Sequence, residues 1–288
     1  MQKQAASKYT HETVATQFVE ADGVRYAYRR FGKASTVPLL FLGYFNSNMD
    51  AWDPDVTNGM ADTHEVILFD NAGVASSGGE TAPTVAEMTS HCVAFCRALG
   101  VNAVNVVGFS LGGMIAQQLA LDHSELVHRL ILLGTAPRGG EGLTFTELSP
   151  EEQSDPEAFL LAAFFAPSTT SQTAGREYLK RLEFRTKDRD LPVSRNSAVA
   201  QLAAIREWGI IPATGRYAML QKITQPTLIV HGNKDIVVEP INALILTQHL
   251  PNAQLIVYSD SSHGAQYQHA TMFLEHVKLF LNARGEVR

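Results

Sequence analysis

The segment GFSLGG at residues 108–113 puts Ser110 between an apolar run and a helical pattern. A serine on such a strand-to-helix turn can attack a carbonyl carbon, provided a base takes its proton. The chain has ten histidines. His263, in SDSSHG at 259–264, follows the last apolar run and precedes the last helical pattern. That position suits a base at the same sheet edge as Ser110, because loops at the C-terminal ends of parallel strands cluster there. A base in turn needs an orienting carboxylate. Asp235 fits, at the end of HGNKD at 231–235. The three residues run Ser, Asp, His, each after a separate strand.

The competing residues have simpler readings. His231 leads into the HGNKD turn and is expected to pack or bond locally. Glu239 stands just before Pro240, where an acid favours a helix N-terminus. Asp260 reads as a turn former. The chain has no H-E-x-x-H pair and no cysteine at zinc spacing, so neither a metal nor an organic cofactor is expected.

The glycines around Ser110 have a steric meaning. A nucleophile on a sharp turn strains its own backbone, and the residues two before and two after must be small. The backbone N–H of Leu111 then faces a helix N-terminus, where a developing oxyanion is favoured.

Apolar runs at 14–20, 24–28, 39–42, 66–69, 104–109, 130–133, 227–230 and 255–258 read as strands. The first two flank Ala21-Asp22-Gly23 and form a hairpin. The later runs barely alternate, as in a parallel sheet covered on both faces. Helical patterns occupy 84–99, 111–121, 240–250 and 265–281. Strand-helix alternation predicts an α/β fold. Residues 138–225 hold no convincing buried strand, but helical pieces appear at 156–165 and 198–208. A structureless loop of that length is uneconomical. A helical insertion lying over the sheet is expected instead.

Composition narrows the partners. The 288 residues carry a net charge of −6, which lacks the electrostatic footprint of a nucleic-acid binder. No apolar run approaches the ~18 residues of a membrane span. No apolar segment follows the basic residues of the N-terminus, so no secretory leader is expected. Cys92 and Cys96, four apart in a helix, read as reduced and partly buried thiols. The expected location is the cytoplasm. A homo-oligomer stays open.

GFSLGG at 108–113, TLIVHGNKDIVVEP at 227–240 and SSHG at 261–264 together resemble the α/β-hydrolase family. Among its subgroups the chain is most similar to small capped esterases, enol-lactone hydrolases and cofactor-free haloperoxidase-like perhydrolases. The resemblance implies a mostly parallel eight-stranded sheet and a serine triad of Ser110, Asp235 and His263. It implies a core of residues 1–137 and 226–288 and a helical cap at 138–225. It also implies a second oxyanion N–H from the loop after the third strand. Many relatives have His-Gly in that loop, whereas this chain reads LGYFN at 42–46. By position the donor is Tyr44, with Phe45 as second choice. Ala72 stands where relatives often have arginine.

Phe45 and Asn46 are expected to line the substrate pocket, with Phe164, Phe165 and Trp208 as candidates from the insertion. No arginine cluster marks a carboxylate or phosphate clamp. The expected substrate is a small ester or lactone, neutral or singly charged. Two alternatives share the residues: a carbon–carbon hydrolase or perhydrolase, and a ligand-binding receptor with little turnover.

Overall fold

The computed structural model describes residues 9–142, 155–213 and 215–283. Eight strands form one sheet: β1 Gln17–Ala21, β2 Val24–Gly32, β3 Leu39–Leu42, β4 Glu65–Phe69, β5 Val104–Phe109, β6 Val127–Leu133, β7 Thr227–Gly232 and β8 Ala253–Tyr258. Their spatial order is β1-β2-β4-β3-β5-β6-β7-β8. β1, β2 and β4 pair antiparallel, and every pairing from β4 to β8 is parallel. The central strands β3, β5 and β7 are buried at every position. This accounts for their lack of alternation in the sequence.

The described helices are α1 Pro54–Ala61, α2 Val85–Ala98, α3 Leu111–Asp122, α4 Pro156–Phe164, α5 Thr169–Leu182, α6 Arg195–Trp208, α7 Ile241–His249, α8 Ala265–Gln268 and α9 Ala270–Asn282. Successive strand residues feed two cores. Leu40, Leu42 and Ile67 pack under α2 and α3, while Leu39, Phe41, Val66 and Leu68 pack under α1 and α9. α2 starts on an N-cap: Thr84 Oγ1 accepts the Glu87 N–H at 3.2 Å and donates to Glu87 Oε2 at 2.7 Å. Among the described residues no helix is long and apolar enough to cross a membrane.

Three local readings change. The pattern at 265–281 is two helices, because His269 leaves helical geometry (φ −115°, ψ 37°). Its ring stacks on Tyr258 at 4.5 Å, and its Nε2 lies 3.0 Å from Ser261 Oγ. Cys92 and Cys96 are fully buried rather than partly so. α1 and α5 have no counterpart among the expected elements. α5 buries Ser171, Gly175 and Tyr178 at helical spacing, but none of the three is aliphatic and the helix as a whole is polar.

α4, α5 and α6 all lie between β6 and β7 and pack on the sheet's C-terminal edge. Arg181 of α5 reaches Asp53 at the start of α1 with two bonds, at 2.6 and 2.8 Å. Tyr178 OH donates to Ala51 O at 3.2 Å. Thr81 Oγ1 and Ser197 Oγ of α6 are 2.7 Å apart.

Candidate active site

Ser110 joins β5 to α3 with φ +53° and ψ −114°. A non-glycine residue in that region stores about 1–3 kcal/mol of strain and persists only where its surroundings over-determine it. They do so here. Ser110 N donates to Leu133 O at 2.9 Å, and Ser110 O accepts from Thr135 Oγ1 at 2.8 Å. The flanking glycines permit the close approach. A Cβ on Gly108 would stand 2.5 Å from Gly112 O, and one on Gly112 would overlap Leu42 O. Ser110 occupies the N-cap position of α3, yet its side chain makes no capping bond. The hydroxyl is left for other work.

β5 and β7 flank β6, so the residues that follow them meet across its end. Asp235 and His263 are both buried, and His263 Nδ1 lies 2.8 Å from Asp235 Oδ2. The other oxygen, Oδ1, accepts the backbone N–H groups of Val237 and Val238, both at 2.9 Å. Burial pushes the Asp235 carboxyl upward. The charge of His263 and the hydrogen bonds from His231 and His263 outweigh it and hold the group well below the usual carboxylate range. His263 faces Gly134 and packs on the ring of Phe109 at 4.8 Å, one residue before Ser110.

The His263 loop is tied to the inserted helices. Gly264 N donates to Phe164 O at 2.9 Å, and Ser262 Oγ donates to Ala163 O at 2.7 Å. Phe164 therefore stands at the site, with its ring 5.6 Å from His263 and 5.1 Å from Tyr44. Phe165 turns the other way and packs on Tyr178 at 5.7 Å. Trp208 donates Nε1–H to Ala136 O at 3.1 Å and anchors α6 to the segment after β6.

The β3–α1 loop faces Leu111. The Tyr44 side chain leaves the loop toward the insertion, 5.0 Å from Phe109, and burial pushes its phenol up to about 12 against an opposing hydrogen bond from Tyr178. Phe45 is half-buried against the other core. Asn46 is exposed with φ +60°, and its N–H donates to Gln201 Oε1 at 2.8 Å. A cavity of about 40 Å³ opens here, bounded by Gly43, Tyr44, Asp70, Leu111, Ile115 and Gln201. Gln201 and Asp70 escaped the sequence reading. Gln201 lies on a helix face that no motif marks. Asp70 ends an apolar run without histidine or serine nearby in sequence.

The rivals for the acid sit elsewhere. Asp260 Oδ2 accepts from Ser168 Oγ at 2.6 Å, and Glu239 is exposed. His231 bonds within its own turn, as expected: its Nε2 is 2.9 Å from Val238 O and 3.1 Å from Asp235 Oδ2.

Residues 37–270 match the family described as alpha/beta hydrolase fold. The chain belongs to that family. An alpha/beta hydrolase fold protein from Chitinophaga pinensis is 37% identical, covers 96% of this chain and all of its own, and superposes with a TM-score of 0.91. Est816, described as an N-acyl homoserine lactone degrading enzyme, is 28% identical over 91% of this chain and 99% of its own, with a TM-score of 0.70. The poly(3-hydroxyalkanoate) depolymerase of Ectopseudomonas oleovorans is 30% identical over 250 residues, 80% of either chain. These alpha/beta hydrolase relatives include proteins named for hydrolytic activity.

Proposed function

We propose that this protein is a serine hydrolase that cleaves a small carboxylic ester or lactone through an acyl-enzyme on Ser110. The observation that carries the reading is the strained Ser110 next to Phe109, whose ring packs at 4.8 Å on the His263 of a buried Asp235–His263 pair. Ser110 Oγ attacks the carbonyl carbon while His263 takes its proton. Asp235 holds the imidazole tautomer and stabilises the imidazolium as it forms. The N–H groups of Leu111 and Tyr44, with Phe45 as the alternative to Tyr44, hold the oxyanion. Each such donor is worth roughly 3 kcal/mol in the transition state. His263 then protonates the leaving alkoxide. Water deacylates the serine, with His263 again as base, and releases the acid. In a lactone the leaving alcohol stays attached to the acyl chain.

The chemistry requires neither metal nor cofactor. Ester and lactone substrates of the depolymerase and of Est816 agree with this choice of bond. The small cavity beside Leu111 suits a short acyl group. Residues 138–225 serve as a cap over a core of 1–137 and 226–288, with Phe164 closing the side next to His263. Two buried, unpaired cysteines fit a reducing compartment, and we place the enzyme in the cytoplasm.

A fluorophosphonate probe tests the reading. It should label Ser110, and Ser110→Ala should lose label and at least ~10⁴-fold in turnover of p-nitrophenyl acetate while keeping its fold. Undiminished turnover in Ser110→Ala would overturn it.

A further inference from the structure

The acid loop carries a second histidine. His231, at the end of β7, is 1% exposed. Its Nε2 lies 2.9 Å from Val238 O and 3.1 Å from Asp235 Oδ2. A carbonyl oxygen only accepts, so the ring nitrogen facing it must carry hydrogen. The other tautomer would turn a lone pair on two oxygens at once. The opposite nitrogen, Nδ1, is buried and meets no partner among the described residues. A second proton there would leave a charged ring with an unbonded N–H, which is costly in a dry site. His231 thus has one fixed donor, Nε2–H, bonded to Val238 O and 3.1 Å from Asp235 Oδ2.

We propose that His231 is a positioning residue for the reaction on Ser110: its Nε2–H, held on Val238 O, also faces at 3.1 Å the Asp235 oxygen that holds His263, steadying that oxygen and tempering its pull on the imidazolium. This inference rests on the serine-hydrolase reading. A carboxylate offers about four acceptor sites. Val237, Val238 and His263 fill three, and His231 Nε2 stands 3.1 Å from the fourth. Without His231, Oδ1 stays on the N–H groups of Val237 and Val238, while Oδ2 answers to His263 alone. Its undivided charge then favours the protonated base, which cannot accept the Ser110 proton.

Few other charges bear on this pair. Lys234 and Glu239, on the same loop, are exposed. Asp260, on the neighbouring loop, is held by Ser168 Oγ. His269 bonds Ser261, and burial shifts its ring downward against an opposing pull from Asp260. From the insertion the neighbour is the apolar ring of Phe164. The phenols of Tyr44 and Tyr267, near Phe109 and Phe164, are pushed up by burial and stay neutral.

The test is the pH profile of kcat/KM for p-nitrophenyl acetate over roughly pH 4 to 9. His231→Leu keeps the bulk and removes the donor. Its acid limb should move up by about half a pH unit, and kcat should fall about tenfold. His231→Gln carries an amide N–H where Nε2 stands, and should return the limb toward that of the parent. His231→Asn stops short of Oδ2 and should behave as His231→Leu, which covers the case where the leucine variant does not fold. A limb that stays put in His231→Leu or His231→Asn overturns the proposal. So does a limb displaced equally in His231→Gln. Fluorophosphonate labelling of the parent separates the two readings. A labelled Ser110 with coincident limbs removes only the role of His231. An unlabelled Ser110 removes the serine reading and this inference with it.

Discussion

Two buried carboxyl groups stand after strands of the same sheet, and they hold their protons in opposite ways. Asp235 follows β7 and is 5% exposed; Asp70 follows β4 and is 2% exposed. Burial pushes both upward. Asp235 is surrounded by N–H donors and ends well below the usual carboxylate range. Asp70 Oδ2 meets no donor among the described residues. It faces Asp190, from the stretch joining α5 to α6. Burial, the shared hydrogen bond with Asp190 and that residue's charge raise the Asp70 carboxyl well above the usual range, against an opposing pull from Arg29. Asp190 is itself tied to the core: Ser76 Oγ donates to it, and its backbone N–H donates to Asp50 Oδ2 at 2.7 Å. Depth therefore does not decide the charge of an acid. The count of donors aimed at it does. One acid is held toward its ionised form beside a base, and the other is pushed toward its protonated form where the insertion meets the core.

The largest break in this comparison should come from Asp235→Asn. With the wrong His263 tautomer favoured, kcat for p-nitrophenyl acetate should drop about 10⁴-fold. A near-normal rate would move the orienting role to Asp260 or Glu239. The same substitution has a stability signature. A lowered carboxyl contributes above its unfolded pKa of about 4, and that contribution is lost as pH falls through the folded value. The gap in Tm between parent and Asp235→Asn should thus close in strong acid.

Asp70 should show the reverse sign. Its proton is held more tightly in the folded chain, so its contribution is full below about pH 4 and fades as pH rises through the folded value. Asp70→Asn should melt a few degrees above the parent at alkaline pH and level with it in acid, by calorimetry. A parent with no alkaline loss would remove the contrast. Turnover in Asp70→Asn should stay within about threefold, since the isosteric amide keeps the shape of the cavity wall and touches none of the reacting groups. The smallest effect should come from Gln201→Leu, which deprives the Asn46 N–H of its acceptor. KM should rise about threefold with kcat nearly constant, the scale of one neutral hydrogen bond.

Much of the fold and of the candidate site could be read from local signals. The central strands announce themselves because both faces are buried, so apolar residues run on without alternation. GFSLGG is readable because a strained turn admits few residue types on either side of Ser110. Asp235 and His263 are readable because each follows an apolar run and precedes a helix. The role of each still rests on the proposed chemistry. The break at His269 was hidden, since its cause is a stack on Tyr258 and a bond to Ser261. α5 was hidden because its overall composition is polar and its buried positions, Ser171, Gly175 and Tyr178, are not aliphatic. Phe164 and Phe165 are adjacent and alike in type, yet a helix end turns one toward His263 and the other toward Tyr178.

Residue type and short-range order alone specify an α/β sheet, a serine turn at 108–113 and the succession Ser110, Asp235, His263, because strain and burial restrict composition locally. Which histidine sits on which oxygen of Asp235, which acid keeps its proton, and which aromatic of the insertion reaches the base depend on groups far apart in sequence. Donor direction and desolvation exist only once the strands and the inserted helices have closed around them.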